Sequence, residues 1–370
     1  MLVRLRRHYG RVIAVALVVS AFLWVVTRRA APPAPANDPA SDVRFAAALT
    51  QVHPRSGGYA PSRLEAQWAA HVCEWDGELC SRIASEREQW QRWFDAARPG
   101  AGGGAANELW STLAVTGLGG SGSSPTSVRL EPLAGYLRDP RPSCPGLGLT
   151  PALASDREDA KGFIFLDPVF YALVAASLRS AGAPVVPRAL LFDLGSTRWE
   201  PASVGLSGAA WLLDAYDKLG ITFDAVFAWE AAPVSSRDYF SAMPLDLASK
   251  WLFYNFPVIG PRHDGPAASA PGMPGPDDPL ELLRTVARPG DFVVFKIDID
   301  AQQLEEDIVV ELVLDEELGA LVDDLYFEHH VRNQVMGPRG WGGGQTRDIQ
   351  DSTGLFQALR RAGIRAHSWP

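Results

Sequence analysis

The sequence predicts an α/β protein built on a mainly parallel β-sheet with helices on both faces, and three observations carry that prediction. From Phe163 onward, short apolar runs alternate with stretches of helical period, the order that strand–crossover–strand units produce. The runs are apolar throughout instead of alternating, as in Ala189 to Leu194 and Phe292 to Ile299, which marks strands covered on both faces. Two of them pass directly into acidic or glycine residues, Leu190-Leu191-Phe192-Asp193-Leu194-Gly195-Ser196 and Phe295-Lys296-Ile297-Asp298-Ile299-Asp300. An open α/β sheet binds its ligands at the carboxyl ends of its strands.

Taken in order, strands are expected at Phe163 to Leu166, Ala189 to Leu194, Ala225 to Trp229, Trp251 to Val258, Phe292 to Ile299, Leu325 to Phe327 and Ile364 to Ser368. Helices are expected at Phe170 to Ser180, Gly205 to Leu219, Leu280 to Val286, Gln303 to Leu314 and Ile349 to Ala362. The Pro- and Gly-rich segment Gly260 to Pro279 interrupts the pattern and is long for a connection. A second Gly-rich segment, Gly337 to Gly344, carries Trp341, a residue suited to stacking on a flat or sugar acceptor.

Four parts are expected along the chain. Residues 1–29 read as a cytosolic tail and one membrane anchor: the uncharged run Val12 to Thr27 lies between Arg11 and Arg28, at the short end of what crosses a hydrocarbon core of about 30 Å. Four arginines precede the run and two follow it, a bias that keeps the N-terminus cytosolic and sends the body across, the type II arrangement of the endoplasmic reticulum and Golgi. A cleaved signal peptide has a similar layout, but Pro32-Pro33 is poor context for cleavage. Residues 30–43 read as a Pro/Ala-rich stalk, residues 44–126 as a helical, Trp-rich region, and residues 127–370 as the α/β domain. The formal net charge is −9, and six arginines flank the N-terminal apolar run, so the remainder is more acidic still and lacks the basic footprint of a nucleic-acid binder. Cys73, Cys80 and Cys144 are odd in number and form no metal-binding cluster.

The chemistry gathers at the strand ends. Asp193, Gly195 and Ser196 close one strand where a small residue lets a ligand approach, and Glu230 closes the next, placed to accept both hydroxyls of a ribose. The 37-residue spacing from Asp193 to Glu230 exceeds the about 20 of the usual fingerprint, and the second and third glycines of that fingerprint are missing. These residues resemble the S-adenosylmethionine-dependent methyltransferases, and within them the FkbM-like group: Phe192-Asp193-Leu194-Gly195 as the first cofactor segment, Phe227-Ala228-Trp229-Glu230 as the ribose-binding acid, and Lys296-Ile297-Asp298-Ile299-Asp300 in place of that group's Lys-Ile-Asp-Val-Glu. The resemblance spans roughly Ala189 to Trp369 and implies a Rossmann-like fold, S-adenosylmethionine held by Asp193, Gly195, Ser196, Glu230 and Asp298, and a methyl acceptor, a glycan hydroxyl by topology. Arg198-Trp199 departs from the family, which has small residues there.

Methyl transfer to a hydroxyl needs alignment and a base. Asp300 is the first candidate, assisted by Glu328 and His329 at the end of the following strand, where Glu328, His329 or His330 also offers metal ligands. Two other readings fit the same residues. Asp298-Ile299-Asp300 is an Asp-x-Asp triplet of the kind by which type II membrane glycosyltransferases hold a divalent cation on a sugar nucleotide. A catalytically silent Rossmann-like module accommodates the thin glycine loop.

Overall fold

The computed structural model describes residues 39–50, 58–69, 81, 84–97, 106–115, 125–133, 161, 163–179, 186–200, 208–261, 277–332 and 345–369. The expected anchor Val12 to Thr27, the three cysteines and Trp341 lie outside them, and among the described residues no helix is long and apolar enough to cross a membrane.

Six strands form the main sheet: β4 (Ala189–Leu194), β5 (Ala225–Trp229), β6 (Trp251–Tyr254), β7 (Phe292–Ile297), β8 (Asp324–Phe327) and β9 (Arg365–Ser368). Their order is β6-β5-β4-β7-β8-β9 and every neighbouring pair is parallel. The chain therefore winds outward from β4 to one edge, returns, and winds outward again from β7. This doubly wound order reverses between β4 and β7, the place where such sheets open a crevice.

Both faces are covered, which is why the strands carry no polar alternation. Leu190, Phe192, Val293 and Phe295 point toward helices α9 (Pro279–Val286), α10 (Gln302–Leu314) and α12 (Ile349–Arg361). Leu191, Val226, Val294 and Tyr326 pack on α5 (Pro168–Leu178) and α6 (Gly208–Asp217). The helix starts are set locally. Asp167 caps α5 ahead of Pro168, Asp278 caps α9 ahead of Pro279, and Asp348 and Asp351 close a reciprocal capping box on α12.

The N-terminal part differs from expectation in three ways. Helix α1 (Pro39–Thr50) starts inside the expected stalk and docks on the domain: Phe45 is buried in the core, Ser41 donates to Asp307, and Arg44 pairs with Glu311. The Trp-rich region is not only helical, because β1 (Tyr59–Ala60), β2 (Ser111–Val115) and β3 (Thr126–Leu130) form an antiparallel sheet whose last strand crosses the expected boundary at residue 127. Phe163 to Leu166 forms no strand: Phe163 and Phe165 pack on Trp90, Trp93 and Trp110, and the Phe165 amide donates to Glu131. The tryptophans Trp90 and Trp93 are buried, as packing residues.

A buried polar cluster joins the small sheet to the domain. Arg360 of α12, fully buried, donates to the Glu131 carbonyl at 2.8 Å and to its carboxylate at 3.0 Å. His367 of β9 meets the same carboxylate at 2.9 Å, and Glu65 accepts from Ser111, Gln357 and the Leu133 amide. The opposing charges keep the Glu131 carboxyl below its ordinary range despite its burial.

Candidate functional site at the carboxyl ends of the strands

Strand register brings the predicted residues level. Leu194 pairs with Trp229 and with Ile297, and Ile297 pairs with Phe327. The next residues along each strand, Gly195, Glu230, Asp298 and Glu328, therefore stand side by side at one end of the sheet, each strand about 4.8 Å from the next.

Gly195 is what lets the two central strands meet. Its φ is +81°, and a Cβ built there would lie 1.5 Å from the Asp298 carbonyl oxygen, so any side chain would push β4 and β7 apart. The amides of Gly195 and Ser196 both donate to the Trp229 carbonyl, at 3.0 and 2.7 Å. Ser196 is itself buried, its hydroxyl 2.7 Å from that of Tyr239, which also accepts from Trp251 Nε1.

Asp193 and Lys296 sit opposite one another across β4 and β7, both buried. Lys296 Nζ is 3.0 Å from Asp193 Oδ1 and 3.4 Å from Asp298 Oδ2, and it donates to the Gly195 carbonyl at 3.1 Å. Burial opposes the charge, but the two carboxylates outweigh it and raise the Lys296 pKa, so the ammonium persists. Asp193 and Ser196 thus hold the rim together from beneath it.

On the rim itself stand Glu230, Asp298, Asp300 and Glu328. Glu230 accepts the Ala232 amide at 2.6 Å, and Asn255 fastens the same turn by donating to the Glu230 and Ala232 carbonyls. Asp298 accepts from Trp369 Nε1 at 3.1 Å. Its pKa is pushed up to about 6, first by burial and then by Glu328 and Asp300, with Lys296 pulling the other way. Asp300 projects into solvent from a left-handed backbone, φ +56°, a conformation that non-glycine residues adopt at a cost of about 1–3 kcal/mol.

The two histidines part company. His330 turns to the rim, its Nε2 3.2 Å from Glu328 and 3.8 Å from Asp300. Burial disfavours its charge, but the bond to Glu328 and the surrounding carboxylates prevail and raise its pKa. His329, expected on the rim, instead points into the protein: it is buried, stacks on Phe327 and meets Glu306 at 3.3 Å, with Arg347 on the other side of Glu306. Consecutive residues in extended chain face opposite ways, so only one of the pair joins Glu328, and it is His330.

Sequence reading missed Glu305, which lies in the first turn of α10, accepts the Ile299 amide at 2.7 Å and backs His330. Its pKa is pushed up to about 7, chiefly by burial. An acid in the turn after Asp-x-Asp was the available signal, and it reads equally as an ordinary helix cap. The triplet acids share Glu328 as a neighbour, but Asp298 is held by Lys296 and Trp369, while Asp300 stands with Glu328 and His330. A cleft of about 350 Å³ lies elsewhere, lined by Leu213, Ile221, Phe223, Leu247 and Lys250 near the amino ends of β5 and β6.

Fold and rim together define an α/β protein with a doubly wound parallel sheet and an acidic, histidine-bearing edge at its strand carboxyl ends. No family model, curated protein or solved structure matches the chain.

Proposed function

We propose that the chain is a Rossmann-like, FkbM-like methyltransferase that binds S-adenosylmethionine on this rim and passes its methyl group to a hydroxyl. The observation that carries the reading is the level placement of Gly195, Glu230 and Asp298 at the point where strand order reverses, where doubly wound sheets take nucleoside ligands. Glu230 is the ribose acid. Asp298 borders the reacting end, and Asp193, Gly195 and Ser196 fix the shape of the crevice. Because the Gly195 and Ser196 amides are engaged by Trp229, side chains supply most of the grip.

In the reaction the acceptor oxygen forms a bond to the methyl carbon as the carbon–sulfur bond breaks, its electron pair stays on sulfur, and the hydroxyl proton passes to a base. The pair Glu328–His330, with Asp300 beside it, is that base. The order of the segments favours methyl transfer over glycosyl transfer: the Asp193-Leu194-Gly195 strand end and Glu230 come before the Asp298-Ile299-Asp300 triplet. The apolar run Val12 to Thr27 places the domain on the far side of a secretory-pathway membrane, endoplasmic reticulum or Golgi, with a glycan as acceptor.

Calorimetric titration of the full-length chain tests this. Saturable binding of S-adenosylmethionine and S-adenosylhomocysteine, lost in Glu230→Ala, is expected. Binding of a sugar nucleotide with Mn²⁺ and of neither adenosyl compound would reverse the assignment.

A further inference from the structure

We propose that Asp300, Glu328 and His330 form a binding site for a divalent first-row transition metal ion, with Glu305 as the carboxylate that orients the imidazole. The three side chains come from the ends of two adjacent strands, β7 and β8, and one ligand atom of each lies within 4.8 Å of the others. His330 Nε2 is 3.2 Å from Glu328 Oε2 and 3.8 Å from Asp300 Oδ1. Both separations are under twice a metal–ligand bond of about 2.1 Å, so one ion reaches these atoms together, and Asp300, exposed, is free to swing the small distance that remains.

Glu305 supplies an independent sign. It is fully buried, one oxygen accepts the Ile299 amide, and the other, Oε2, has no hydrogen-bond partner and faces His330 Nδ1 at 3.9 Å. A buried carboxylate oxygen without a partner is costly. With an ion on Nε2, the imidazole is held as the tautomer that carries its proton on Nδ1, and Oε2, now 3.9 Å away, accepts that proton once the pair closes by about 1 Å. That is the carboxylate–histidine–metal relay that fixes ring orientation in metal sites.

The donor set selects the ion. Two carboxylates and one imidazole suit Mn²⁺, Fe²⁺ or Zn²⁺ better than Ca²⁺ or Mg²⁺, which take oxygen shells. Three protein ligands leave coordination positions open toward solvent, as in catalytic sites and not in closed structural ones. Metal binding itself stands apart from the methyl-transfer reading. Its use in catalysis rests on that reading: with the ion bound, Glu328 and His330 serve as its ligands in place of acting as the base, and the ion, holding the acceptor oxygen at an open position, lowers the hydroxyl pKa so that the proton leaves to water before the oxygen takes the methyl group.

The test uses full-length chain stripped with EDTA, titrated with Mn²⁺ and followed by electron paramagnetic resonance. One equivalent of bound Mn²⁺ is expected, with spin-echo modulation from an imidazole nitrogen that disappears in His330→Ala. Asp300→Asn, on an exposed residue that cannot compromise folding, and Glu328→Gln should each weaken binding at least roughly tenfold, and Glu305→Gln by roughly 10-fold or more. Absence of Mn²⁺ binding by folded protein, or binding indifferent to Asp300→Asn and Glu328→Gln, overturns the site. Parallel titration with S-adenosylhomocysteine separates the two ideas, since either ligand binds or fails without the other.

Discussion

Gly195→Ala is the most exacting test of how the central strands meet. The added Cβ would lie 1.5 Å from the Asp298 carbonyl oxygen and 2.5 Å from its carbon, both backbone atoms. No side-chain rotation relieves that overlap, so β7 must move away from β4. The movement strains or breaks the Asp298 amide bond to the Leu194 carbonyl, 3.1 Å, and the Lys296 bond to the Gly195 carbonyl, 3.1 Å. Each lost bond costs about 1 kcal/mol, and an alanine at φ +81° costs a further about 1–2 kcal/mol. The sum is about 3–4 kcal/mol, at the upper end of single-substitution effects. Gly290→Ala is the control, because Gly290 also has a positive φ, +97°, but nothing lies within 4 Å of its Cβ position; it should cost only the about 1–2 kcal/mol of conformation. Urea unfolding of both variants measures the difference, about 2 kcal/mol, which at a slope of about 3 kcal/mol/M puts the Gly195→Ala midpoint about 0.7 M below that of Gly290→Ala. Equal midpoints for the two variants would refute the close approach of β4 and β7.

Three further outcomes follow from the buried charges. Glu305 has its folded pKa raised to about 7 from 4.5, so the folded state retains a proton that the unfolded chain releases, and stability falls as pH rises from about 4.5 to about 7 by up to about 3 kcal/mol. Glu305→Gln in EDTA should remove that slope, so melting temperatures of wild type and variant that fall in parallel between pH 5 and pH 8 would count against it. Glu131→Ala takes from the buried Arg360 guanidinium the nearer of its two carboxylates, at 3.0 Å, leaving Glu65 at 3.7 Å, and should cost about 3 kcal/mol in thermal unfolding; a loss below about 1 kcal/mol would mean the pair is solvated. His329→Asn should lower stability while leaving Mn²⁺ and S-adenosylhomocysteine affinity intact, because His329 faces Glu306 and not the rim; unchanged stability with lost affinity would place it on the site.

The sheet was legible where local chemistry decides. Ala189 to Leu194 and Ala225 to Trp229 coincide with β4 and β5, since an apolar run ended by Asp-Leu-Gly or by Glu is bounded on its own evidence. The small sheet was not legible. Ser111 pairs with Leu130 and Leu113 with Tyr59, and strands this short and polar gain their stability from partners distant in sequence. The same holds for Arg360, whose partners Glu65 and Glu131 lie in the N-terminal region. At the candidate site, the strands that deliver Glu230, Asp298 and Glu328 were readable, but the side of the chain on which a residue emerges past a strand end was not. That undecided half-turn separates His330 from His329, and the left-handed backbone at Asp300, equally unreadable, sets the direction in which that acid leaves the strand.

The proposed function requires that ligand bind at the carboxyl ends of β4, β5 and β7. Hydrogen exchange of the full-length chain with and without S-adenosylhomocysteine addresses it most directly. Slowed exchange confined to residues 194–200, 229–234 and 298–301 is expected. Protection across residues 213–223 and 244–250, at the cleft near the amino ends of β5 and β6, or no change under saturating ligand, would contradict it.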